Sequence, residues 1–261
     1  MAGAITHLLV AEGALQKSPP GLDRLSRTLD SNKAIMLLGS ASPDLPYATS
    51  SLSPQSVWAD RMHYQDTNLV PLRMLAGISQ MGRSAKRQSC LAFLAGYIAH
   101  CVTDATIHPL VMAAVGPYAA NKKEHRVCEM IQDSRLYAET VGKDLRGSHY
   151  VGILCAKASA AVIDEVLGLW AEALQTVHFK VKPEPQPRLW YEAYSTILSA
   201  ASDWDLLAKL ARPILGPSGP VYLTEEEIHK EFPHKEKFWY DEMRLPHGQE
   251  RKGKFVEDAF R

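Results

Sequence analysis

The sequence predicts an all-α protein, a single-domain helical bundle. Apolar residues recur at helical spacing through stretches such as "LAFLAGYIAHCV" and "AAVIDEVLGLWAEALQ". Alternating β-branched runs bounded by hairpin turns are nearly absent. Histidines and carboxylates recur four residues apart inside the helical stretches, and that interval stacks side chains on one face of a helix.

The elements follow in order. "LLVAEGAL" forms the first helix, and His7 is the one polar group of "AITHLLV" besides Thr6. "KSPPG" breaks the pattern before the helical "RLSRTL". In the polar segment "GSASPDLPYATSSLSPQS", Pro43 and Pro46 stiffen a loop around Asp44, a position that equally suits a turn or N-cap aspartate. His63 lies in "WADRMHYQD", where Asp60 and Asp66 are either its orienting partners or solvated surface charges. The core helix around "GYIAHCVTDATIHPLV" follows, with a break expected in "HPLVMAAVGPYAANKKE" and a further helix from "EHRVCEM". "KVKPEPQPR" reads as a short extended linker, and "WYEAYSTILSAASDWDLLAKLARPIL" returns to helical spacing. After "GPSGP", Thr224 precedes Glu227 by three residues, a capping box that should start a helix. The body spans residues 1–222, and residues 223–261 form a tail whose Phe232, Phe238, Trp239, Tyr240 and Phe255 should dock on the body or on a second subunit.

The bulk properties exclude more than they identify. With 29 basic and 29 acidic residues the chain carries no electrostatic footprint for duplex nucleic acid or anionic membrane. "MAGAITHLLVAEGAL" lacks a basic leader region and is interrupted by His7 and Glu12, so it is a poor signal peptide. No uninterrupted run approaches the roughly 18 apolar residues of a transmembrane segment. Cys90, Cys101, Cys128 and Cys155 have no CxxC spacing and apolar neighbours, as small core residues in a reducing cytoplasm would.

His100, Asp104 and His108 share one face of the core helix, with Tyr97, Ile98, Cys101, Val102 and Ala105 on the flanks. A lone histidine on an apolar helix is ordinarily a core residue. Burying an ionised aspartate, however, costs several kcal/mol unless something cationic compensates it. The next helix repeats the spacing with His125 and Glu129, and imidazole and carboxylate are donors that Zn²⁺ accepts.

In their order, His7, Asp44, His63, His100, Asp104, His108, His125 and Glu129 resemble the ligands of the zinc-dependent phospholipase C family, which is related to the fungal single-strand-specific zinc nucleases. The HxxxDxxxH row followed by HxxxE is the most specific part of the likeness, and "GSASPD" is similar to the G-x-x-x-P-D element of bacterial members. The resemblance covers roughly residues 1–135. It implies an all-α fold around a trinuclear zinc site. His63, His100 and Asp104, with Asp44 at hand, would hold one ion, and His108, His125 and Glu129 the second. Asp104 would bridge to a third, completed by His7 and the amine and carbonyl of the first residue. Secreted relatives begin with tryptophan there, whereas this chain begins Met1, Ala2.

The expected activity is therefore zinc-dependent hydrolysis of a phosphoric ester, phospholipase C-like, with Asp44 as base or additional ligand. The substrate would be a phospholipid head group or a small phosphate ester. Two other readings stand beside it. A nuclease or nucleotidase would use Tyr47 or Trp58 to stack a base, though core packing or loop anchoring is the plainer role of both, and a non-catalytic zinc module would show closed four-coordinate sites.

Overall fold

The computed structural model describes residues 3–16, 21–49, 53–145, 160–200 and 224–231, and every regular element among them is helical. In chain order the α-helices are α1 (Ala4–Gln16), α2 (Asp23–Ser31), α3 (Lys33–Ala41), α4 (Val57–Tyr64), α5 (Leu69–Ser79), α6 (Ala85–Val115), α7 (Lys122–Val141), α8 (Ala160–Val177), α9 (Pro187–Ala200) and α10 (Glu225–Glu231). Ser42–Ala48 and Pro54–Ser56 are 3₁₀ segments between α3 and α4. The chain divides into two compact units, one made of Met1–Val10, Val102–Val151 and Ala200–Arg261 and the other of Ala11–Cys101 and Gly152–Ser199.

In the second of these units α5 packs on α8, and the core is aromatic. Trp170 of α8 meets Trp190 of α9 at 5.2 Å between ring centroids, with Phe93 and Tyr97 of α6 on its other sides. Large rings give much apolar burial, but each indole N–H needs an acceptor. Trp58 donates to the carbonyl of Pro183 at 3.0 Å and Trp190 to Gln55 Oε1 at 2.9 Å, while the Gln55 amide donates to the carbonyl of Glu184. The proline-rich segment expected as a linker thus accepts directly from Trp58 and holds the Gln55 that accepts from Trp190.

Glycines set the approach of α3 to α6. A Cβ on Gly39 would fall 2.1 Å from the carbonyl oxygen of Phe93, and one on Gly96 would fall 1.9 Å from that of Met36. With hydrogen in those places the two backbones touch, so the residues one position past Gly39 and one turn past Gly96 are brought into register.

In the first unit the N-terminus of α1 is capped from a distance. Asp133 of α7, fully buried, accepts from the backbone N–H of Ile5 at 3.2 Å, from that of Thr6 at 2.8 Å and from the Thr6 hydroxyl at 2.7 Å. A side-chain acceptor satisfies amides that an α-helix leaves unpaired at its start. Gly3 leaves room for it, since a Cβ there would lie 2.2 Å from the carboxylate. The capping box at Thr224 forms as the sequence predicts: the Thr224 N–H donates to Glu227 Oε2 at 2.9 Å and the Glu227 N–H to Thr224 Oγ1 at 3.3 Å. It starts α10, which packs on α7 and buries Ile228.

The break expected in "HPLVMAAVGPYAANKKE" is there: α6 runs through Pro109 to Val115, surrendering the one bond that the missing N–H would make, ends where Gly116 adopts φ +85°, and α7 begins at Lys122. One expectation needs correction: the core helix α6 is not buried all round. Ile98 and Val102 are 45% and 47% exposed, and although length and composition would let α6 cross a membrane, half of its apolar window is buried within the protein. Cys90, Cys101 and Cys128 are not in disulfides. Cys155, the aromatic tail from Phe232 onward, and Met1 and Ala2 lie outside the described residues.

Candidate metal centre

The unit holding Ala11–Cys101 brings Asp44, His63 and His100 together. Asp44 sits in the 3₁₀ segment that continues α3, held there by Pro43 and Pro46 rather than in an open loop. His63 is on α4 and His100 on α6. The Gly39–Gly96 approach sets the carbonyl of Ser40 against His100, whose Nδ1 lies 2.8 Å from it. His63 Nδ1 is 2.7 Å from the carbonyl of Ala59, one turn back on its own helix. A carbonyl only accepts, so in both rings Nδ1 carries the proton and Nε2 keeps a lone pair.

Those two Nε2 atoms face each other at 3.1 Å, and His63 Nε2 is 3.3 Å from Asp44 Oδ1. Three acceptor atoms crowded together with no proton among them repel one another unless a cation joins them. Donors about 2.0–2.1 Å from a tetrahedral zinc lie about 3.3 Å from each other. The observed separations are the edges of such a tetrahedron.

The other unit holds a second set. Asp104 Oδ1 is 3.3 Å from His7 Nε2 and 3.3 Å from His108 Nε2, the latter one turn further along α6. His108 Nε2 is buried, yet it makes no hydrogen bond despite that proximity, as expected of an atom aimed at a shared point rather than at the carboxylate. His7 is placed by the Asp133 cap on the first turn of α1, and its side chain is fully buried.

On α7, His125 Nε2 donates to the carbonyl of Gly116 at 2.7 Å, an acceptor presented by the left-handed turn that ends α6. Its Nδ1 is buried without a hydrogen-bond partner, again a lone pair held ready. Burial pushes this imidazole below its ordinary pKa; the Gly116 bond opposes that and a charged His108 assists it. Glu129, one turn on and buried, has Arg126 at 3.9 Å.

The donor chemistry fits zinc in both units: imidazole nitrogens with their far side tied to carbonyls, and carboxylates at ligand spacing. His100 and Asp104 occupy successive turns of the single helix α6, so the HxxxDxxxH row supplies both sets.

For two residues the structure decides between the roles the sequence left open, and it adds a third residue. Asp60 does not orient His63; it accepts from the Tyr47 hydroxyl at 2.7 Å, and burial together with that carboxylate pushes the Tyr47 phenol well above its usual range. Trp58 is wholly buried and is not available to stack a base. Asp133 was missed, although it extends the His125–Glu129 row by one more four-residue step. That continued interval was the signal for it. The carbonyls of Ser40, Ala59 and Gly116 had no signal at all.

The model of the family described as zinc dependent phospholipase C matches residues 6–203. The chain belongs to that family, whose members are zinc-dependent phosphoesterases in general. The match reaches well beyond residue 135, taking in α8 and α9 as well as the ligand rows. No curated protein and no solved structure matches the chain.

Proposed function

We propose that the protein is a phospholipase C-like phosphodiesterase that hydrolyses a small phosphate ester or a phospholipid head group, using two to three zinc ions. His63 and His100 would hold one ion, with Asp44 at hand beside it, and His7, Asp104, His108, His125 and Glu129 would hold the others, Asp104 with a ligand on either side. Bound zinc supplies Lewis-acid polarisation of the ester and acidification of water to near neutral pH.

The chain's own residues do the rest. Their far-side bonds to carbonyls fix the tautomer and the direction of His63, His100 and His125, so little reorganisation is needed as charge develops on the phosphoryl group. Asp44 is 15% exposed at its side chain, enough for water to reach it, and stands beside the His63 nitrogen. It takes the proton of the attacking water and orients that water for in-line displacement of the leaving alkoxide.

The observation that carries this reading is the Asp44, His63, His100 triangle, whose two imidazole lone pairs lie 3.1 Å apart. Its test is Asp44→Asn, nearly isosteric but unable to accept a proton. The expected result is retained zinc and fold, with turnover of phosphodiesters lowered by roughly 10²- to 10⁴-fold. Zinc-loaded wild type that hydrolyses none of a panel of phosphodiesters, phosphomonoesters, phosphatidylcholine and single-stranded DNA would leave a structural zinc module. Loss of zinc together with rate in Asp44→Asn would make Asp44 a ligand rather than a base.

A further inference from the structure

A cavity of about 740 Å³ opens beside α2 and the turn leading into α6, and none of its lining residues is among the candidate metal ligands. Arg24, Arg83 and Arg87 line it, and among the described residues no carboxylate does. Elsewhere Arg73, Arg126, Arg135 and Arg188 each stand within ion-pair distance of an aspartate or glutamate. The three around the cavity form no ion pair among the described residues. In a chain whose basic and acidic residues balance, three guanidiniums around one concavity repel each other and concentrate positive potential there. The planar guanidinium fork matches a phosphate better than a point charge does, and Gln88 adds an amide donor to the wall.

The remaining wall is apolar. Leu22 and Leu25 are 46% and 42% exposed and line the cavity together with Met81 and Leu91. Helix α2 has no buried residue, so these leucines are not spent on the core. A naked anion would gain nothing from them, whereas a phosphate carried on an alkyl or acyl group would cover them.

We propose that this cavity is a second phosphate-binding site, separate from the metal ligands, for a phosphate attached to an apolar chain. It does not depend on which ester the metal centre cleaves. The ligand is either a lipid phosphate presented by a bilayer or a soluble phosphorylated amphiphile.

The test uses zinc-loaded full-length protein and the variants Arg24→Gln, Arg83→Gln and Arg87→Gln, singly and combined, with unfolding temperature confirming that each is folded. Calorimetric titration with octyl phosphate and with inorganic phosphate reads the site. Flotation with phosphatidylcholine vesicles, with and without phosphatidic acid, reads the source. Octyl phosphate should bind, weakening about tenfold with each arginine removed and with added salt, while zinc content and turnover of a soluble ester stay unchanged. Arginine-dependent flotation only with phosphatidic acid would assign the bilayer source, and binding of octyl phosphate without flotation the soluble one. Identical octyl phosphate titrations of wild type and the triple variant would overturn the site. Inorganic phosphate binding as tightly as octyl phosphate would overturn the apolar part of the ligand.

Discussion

Replacing Gly96 with alanine tests how the fold aims His100. The new Cβ would stand 1.9 Å from the Met36 carbonyl oxygen and 2.7 Å from the Ser40 nitrogen, both main-chain atoms of α3 that no side-chain rotation can clear. Ordinary contact begins near 3.4 Å, so α3 and α6 must separate by about 1.5 Å at this point. That carries the 2.8 Å contact between His100 Nδ1 and Ser40 O past hydrogen-bonding range. Overpacking costs about 1–3 kcal/mol and the stranded polar pair about 1–3 more, against roughly 1 kcal/mol that alanine returns in helix propensity. A net loss of about 1–5 kcal/mol lowers the unfolding temperature by roughly 2–20 °C in a protein of this size. Zinc affinity should fall about 10- to 100-fold, the usual worth of a residue that orients a ligand. Gly168→Ala is the control. That glycine lies exposed within α8 with nothing near its Cβ position, and the change should stabilise by up to about 1 kcal/mol. Calorimetry and competition with a chromogenic zinc chelator read both variants. If Gly96→Ala gains stability like Gly168→Ala and keeps its zinc affinity, the glycine contact does not position His100.

Asp133→Ala should destabilise by about 2–4 kcal/mol, because it strands the Ile5 and Thr6 amides in a buried place, and should weaken zinc binding at His7; chemical denaturation and zinc titration check this. His125→Ala should remove one zinc per chain and leave the rest, with a drop in unfolding temperature; unchanged zinc content by elemental analysis would refute its assignment. His178 gives a pH dependence. Burial pushes its imidazole below 6.5, the Asp66 carboxylate opposing and the Arg61 guanidinium assisting. The unfolded chain therefore binds more protons than the folded protein as pH falls through about 6.5, and stability declines until pH drops beneath the folded value. His178→Gln should flatten that part of the curve, seen as a smaller difference in unfolding temperature between about pH 7 and pH 5 than in wild type.

How much of this was legible depends on which atoms carry the information. The candidate ligand rows stood out because His100, Asp104 and His108, and likewise His125 and Glu129, are side chains at a helical interval. The capping box at Thr224 was visible for the same reason. The end of α6 was legible as a stretch and not as a residue, because Pro109 costs the helix one bond without stopping it and Gly116, seven residues on, is where it ends. Asp60 was left between two roles because proximity in sequence to His63 says nothing about the Tyr47 hydroxyl, thirteen residues before Asp60, that it accepts from. Asp133 escaped because its partners, the amides of Ile5 and Thr6, lie 128 and 127 residues away in the chain.

The main-chain acceptors behind His63, His100 and His125 bear on how such a protein can change over generations. Where a ligand is braced by an aspartate or glutamine, the brace is a residue, and losing it by mutation loosens the metal. Here the braces are the carbonyls of Ala59, Ser40 and Gly116, which every amino acid possesses. Substitutions at positions 40 and 59 are therefore filtered by size and helix fit rather than by chemistry, so the identities there can drift among chains that bind metal equally well. A search for the supporting residues by residue type would pass over them, and the sites to watch are instead the glycines that fix where those carbonyls stand.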